Sequence, residues 1–127
     1  MSKPELERVP NAKLPSKSSV SVYRFPGGGG LFWAVAASAD KSLDFAGQTR
    51  AVLAALDGQL ARFGLDRTRV VKAEVVVTDH DNKPAFDAVW ASWMPDGHGP
   101  VRSFVESRMP EGDLVEIIIT AALPGPV

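Results

Sequence analysis

Residues 99–122 read Gly-Pro-Val-Arg-Ser-Phe-Val-Glu-Ser-Arg-Met-Pro-Glu-Gly-Asp-Leu-Val-Glu-Ile-Ile-Ile-Thr-Ala-Ala. Two strands joined by a short turn at Met109–Asp113 account for this pattern. Side chains alternate along a strand, so Arg102, Phe104 and Glu106 share one face of the first, and Val101, Ser103 and Val105 the other. In the second strand Leu114, Glu116, Ile118 and Thr120 share a face. A carboxylate between Leu114 and Ile118 must be paired, hydrated or functional. Pairing of the two strands would make Arg102 and Glu116 one polar site on an apolar wall.

Working outward, the 127 residues suit one domain, 1–127, with residues 1–18 as a polar, proline-bearing arm. Fourteen basic residues balance 15 acidic ones, which argues against a nucleic-acid or anionic-membrane footprint. Cysteine is absent, which excludes disulfides, thiolate metal sites and a cysteine nucleophile. No apolar run is long enough for a membrane span, and the first residues lack a signal-peptide core. The expected location is cytoplasmic.

Val20 to Phe25 and Leu31 to Ala37 form a hairpin around Gly27–Gly30. No Gly-Lys-Ser/Thr follows the glycines, so they read as a turn and not as a phosphate loop. Phe45, Thr49, Val52, Leu53, Leu56, Leu60 and Phe63 recur at helical spacing, with Ser42 or Asp44 as cap and Gly64 as stop. Arg50, Asp57 and Arg62 read as its solvated face. Val71, Ala73, Val75 and Val77 mark a half-buried strand. Asp79-His80-Asp81-Asn82 reads as a capped turn, since no second histidine supplies a metal-ligand spacing. Phe86, Val89, Trp90 and Trp93 mark the core stripe of a second helix starting near Pro84. The order is ββαβαββ, an α+β chain with two helices on one face of a mixed sheet. Trp33, Val35, Phe104 and Ile118 are candidates for the face that the helices leave open.

Pro100-Val101-Arg102-Ser103-Phe104-Val105-Glu106, with Glu116-Ile117 in the last strand, resembles the signature of the RidA/YjgF family of enamine/imine deaminases. Gly47-Gln48-Thr49-Arg50, Gly64-Leu65-Asp66, Val70-Val71-Lys72-Ala73 and Phe86-Asp87-Ala88-Val89-Trp90 resemble further family runs. The resemblance implies a chorismate-mutase-like fold and a homotrimer with inward-facing sheets and sites between subunits. It implies that Arg102 binds the carboxylate of a 2-imino acid or its enamine tautomer. It implies that Glu116 positions water and that main-chain groups at Phe104 face the substrate. The first third departs from the family pattern: its Gly-Pro-Tyr and Ser-Gly-Gln runs are missing, and an asparagine common in the second helix is Asp87 here.

A guanidinium matches a carboxylate with two parallel bonds, and a carboxylate near water can shuttle protons during imine hydrolysis. Spacing alone favours an ordinary cross-strand or interface salt bridge for Arg102, with Glu116 as a candidate partner; the motif reverses that preference. The expected reaction converts 2-iminopropanoate or 2-iminobutanoate and water to the 2-oxo acid and ammonia, with no metal, nucleotide or redox cofactor required. A non-catalytic trimeric module binding a small carboxylate or a protein partner is the alternative. A ribonuclease or translation inhibitor is a weaker third reading.

Overall fold

Hydrophobic alternation builds the sheet, and the computed structural model describes it over residues 3–126. The strands are β1 (Leu6–Pro10), β2 (Ser18–Arg24), β3 (Gly30–Ala37), β4 (Val70–Val77), β5 (Val101–Glu106) and β6 (Val115–Leu123). The helices are α1 (Phe45–Arg62) and α2 (Lys83–Trp93). The sheet order is β1-β2-β3-β6-β4-β5, with β4 and β5 parallel and the other neighbours antiparallel. This is the α+β mixed sheet with two helices that the sequence led us to expect.

Two expectations are corrected. Part of the polar arm is a strand: Leu6 to Pro10 pairs with β2, and Arg24 secures it by donating Nη1 to Glu7 Oε1 at 2.9 Å and to the Pro4 carbonyl at 3.0 Å. The order is therefore βββαβαββ. Moreover, β5 and β6 do not pair, because β4 lies between them. Their turn skips a neighbour, which a local pattern cannot reveal.

Every second strand residue faces the helices. Val22, Phe32, Ile119, Ile117, Val75 and Val77 on that face are fully buried, as are Val52, Leu56 and Leu60 of α1 and Phe86 of α2. Asp44 caps α1 by accepting the Gly47 N–H at 2.8 Å, and Asp79 accepts the Asp81 N–H at 2.9 Å. Gly64 closes α1 at φ 73°, where its N–H reaches the Ala61 carbonyl at 3.0 Å. Asp57 is more than a solvated helix residue. It accepts from Arg67 Nη2 at 2.7 Å and from Trp93 Nε1 at 3.0 Å, which ties α1 to the end of α2.

The loop between β5 and β6 is pinned to α1 by Gln48, whose side chain is fully buried. Its Nε2 donates to the Gly112 carbonyl at 2.9 Å, and its Oε1 accepts the Leu114 N–H at 3.0 Å. Lys41 adds an ion pair to the buried Asp113. These bonds fix where β6 begins, one residue before Glu116. Gln48→Leu would leave the part-buried Gly112 carbonyl and Leu114 N–H without their side-chain partner. We expect a loss of about 2–4 kcal/mol in urea unfolding; a loss below about 0.5 kcal/mol would show that the loop is held by other contacts.

Candidate functional site

Arg102 is placed by the edge of the sheet. It sits opposite Ala73, and Phe104 sits opposite Val75. Ala73 and Val75 are fully buried on the helix side, so Arg102 and Phe104 point that way too. Phe104 was expected on the open face. Instead its ring lies 5.2 Å from that of Phe86 and 5.2 Å from that of His80. The parallel pairing with β4 sets this parity. As the outermost strand, β5 also keeps one row of main-chain amides unpaired within this chain.

Helix α2 builds the surroundings of the guanidinium. Phe86 and Trp90, one turn apart, stack with centroids 5.8 Å apart. Arg102 Cζ lies 5.1 Å from the Phe86 centroid and 5.3 Å from that of Trp90. Cation–π attraction and ring packing restrict the rotation of the fork. Arg102 Nη2 donates to Asp87 Oδ1 at 2.5 Å. The other oxygen, Asp87 Oδ2, accepts from Lys83 Nζ at 2.7 Å across one helical turn. The outcome is a cation–anion–cation row, Lys83–Asp87–Arg102, beside two aromatic rings. Arg102 is 19% exposed and Asp87 40% exposed, so the row borders solvent.

Glu116 lies elsewhere. It pairs in register with Val76 of β4 and Ala37 of β3, on the face without helices. Val76 is an odd number of residues from Ala73, so Glu116 and Arg102 occupy opposite faces of one sheet. The single polar wall expected from pairing β5 with β6 is therefore not formed within one chain. Around Glu116 the open face carries the half-buried Trp33 and Val35 and the 39% exposed Ile118. Glu106 faces the helix side, and its Oε1 accepts the His80 N–H at 2.8 Å. Among the described residues, no group of three or more His, Asp or Glu could hold a metal ion. No described helix is long and apolar enough to cross a membrane.

The description "Endoribonuclease L-PSP" belongs to the family whose model matches residues 34–123. The chain belongs to this family, known also as RidA/YjgF or RutC. A RutC family protein of Haemophilus ducreyi is 30% identical over 107 residues, covering 84% of this chain and 88% of the relative. A YjgF family member from Neisseria meningitidis superposes with a TM-score of 0.81 at 27% identity, covering 95% of this chain and 97% of that one. A Rid family protein from Yersinia pestis does so with a TM-score of 0.73 at 27% identity, over 91% and 94% of the two chains. The L-PSP match begins inside β3, which fits the weaker family pattern of the first third.

Lys83 was not singled out for the site, and Asp87 was noted only as a departure from the family pattern beside the arginine, with no partner assigned to it. The signal was available: an acid four residues after a lysine on a helix whose apolar stripe includes Phe86 and Trp90. What the pattern lacks is the strand register that brings Arg102 over this helix. Hydrogen bonds from Lys83 chiefly, then from Arg102, hold the Asp87 carboxyl below the usual aspartate range, against the opposing effect of burial. A depressed folded-state pKa means that this contribution to stability is complete above the unfolded aspartate pKa and is lost as pH falls through the folded one. Carbon-detected NMR titration should place the Asp87 midpoint below about 3.9, and Lys83→Met should raise it. A midpoint unmoved by Lys83→Met would mean that the Lys83 bond does not persist in solution.

Proposed function

We propose that this L-PSP family protein is a cofactor-independent deaminase of 2-imino acids and their enamine tautomers. The observation that carries the reading is the restrained Arg102 fork at the edge strand, in the Pro-Val-Arg-Ser context. Asp87 takes one of the five donor hydrogens of Arg102, so an edge of the fork is left for a substrate carboxylate. Arg102 would fix the acid group, and exposed main-chain groups of β5 around Phe104 would orient the adjoining C=N unit.

The chemistry needs water and protons in the right places. Water oxygen bonds to the imine carbon while the nitrogen takes up a proton. A proton then moves from the new hydroxyl, the C–N bond breaks, and ammonia leaves a 2-oxo acid. Glu116 is suited to hold that water and to move protons between oxygen and nitrogen. The imine is already electrophilic, so positioning supplies most of the acceleration.

Because Arg102 and Glu116 face opposite sides of the sheet, we assign them to the same site from different chains. The open face of one subunit would lie against the edge strand of the next. A cyclic trimer with inward-facing sheets repeats that contact around its axis and covers Trp33, Val35 and Ile118.

Three measurements test this reading. Imino acids generated in situ by an amino-acid oxidase should release ammonia faster with the protein than in buffer alone. Arg102→Ala should lower kcat/KM about 100-fold, chiefly through KM, and Glu116→Gln should lower kcat about 100-fold. Unaltered activity in Arg102→Ala would end the proposal. Co-refolding the impaired Arg102→Ala and Glu116→Gln chains should raise activity above that of either alone, because some mixed interfaces unite an intact arginine with an intact glutamate. No recovery, with trimers demonstrated by sedimentation, would place both residues in one chain's site or neither in any.

A further inference from the structure

The carboxylate already seated on Arg102 has a consequence for which acids can join it. Asp87 bridges two cations, with Arg102 Nη2 at 2.5 Å and Lys83 Nζ at 2.7 Å. Lys83, Asp87 and Arg102 together carry a net charge of one positive unit. Asparagine in the same place would keep an oxygen to accept from Arg102 yet leave two positive units. The difference is electrostatic more than steric. All three side chains are partly exposed, with Lys83 at 44%, so an approaching anion feels the whole row.

We propose that Asp87 is the charge selector of the arginine site, admitting monocarboxylates and disfavouring ligands with a second carboxylate. The proposal rests on the reading of Arg102 as the carboxylate clamp. A single acid group docked on the free edge of the fork neutralises the row. A second acid group finds no remaining positive charge and lies near the Asp87 carboxylate. Two unit charges about 8 Å apart, in a half-exposed setting of effective dielectric about 40, change an equilibrium constant about fivefold. The substrate class is narrowed to imino acids with neutral side chains. Those derived from acidic amino acids are disfavoured by about that factor.

Pyruvate and malonate test this, since both have three carbons but differ in charge at pH 7.5. Calorimetry at low salt compares the two on the intact protein and on Asp87→Asn, Lys83→Gln and Arg102→Ala. The intact protein should prefer pyruvate. Asp87→Asn should shift the pyruvate-to-malonate preference about fivefold towards malonate, and Lys83→Gln should shift it the other way. A tether without electrostatic influence would change both affinities by one common factor, so an unchanged ratio in Asp87→Asn overturns the proposal alone. Binding that survives Arg102→Ala, or no binding to the intact protein, overturns the clamp reading and this proposal together. Thermal unfolding of each variant identifies any loss of fold, and a misfolded Asp87→Asn chain would itself contradict the premise that asparagine preserves the geometry.

Discussion

The placement of β4 between β5 and β6 governs everything else about the site. A strand has two faces, and a helix layer covers one of them. Once β5 runs parallel to β4, the position of Arg102 beside Ala73 directs the guanidinium towards α2. Once β6 runs antiparallel on the other side of β4, the position of Glu116 beside Val76 directs its carboxylate away. No rotamer change reconciles the two. One sheet thus presents a cation on one side and an acid on the other, and the proposed reaction centre, which uses both, draws on two sheets.

The arginine is held by three weak forces of different kinds. The Phe86 and Trp90 rings offer a flat, polarisable floor; Asp87 offers a short charge-assisted bond; the strand offers a fixed root. Each alone leaves a long side chain with much of its rotamer freedom. Together they reduce the ordering that a ligand would otherwise have to impose. The same aromatic row continues through Phe104 to His80, so the side chains of β5 on this face lie along α2 and the turn before it.

Much of this architecture was legible from residue patterns. The apolar periodicity of α1 and the alternation of β3 and β4 mark the elements because burial imposes those periods directly. Asp44 and Gly64 mark helix ends through local hydrogen bonding and backbone conformation. The Arg102 motif identified the family. Three things were not legible. Leu6–Pro10 has few buried side chains, so its strand character comes from pairing with β2 and not from hydrophobic alternation. The separation of β5 from β6 is a matter of long-range order in the sheet. The Arg102–Asp87 bond joins residues 15 apart on different elements, and its existence depends on the register with β4. The aromatic stripe of α2 was correctly read as packing, yet its Phe86 and Trp90 also floor the arginine.

Strand β6 occupies the middle of the sheet but comes last in the chain. It alone bonds to both β3 and β4, so without it the sheet is two disconnected pieces, β1-β2-β3 and β4-β5. A nascent polypeptide still attached to the ribosome cannot unite them until residues 115–123 have left the exit tunnel. The sheet therefore closes only after every other strand has been made, and a chain cut before residue 115 would lack the strand that joins its two halves.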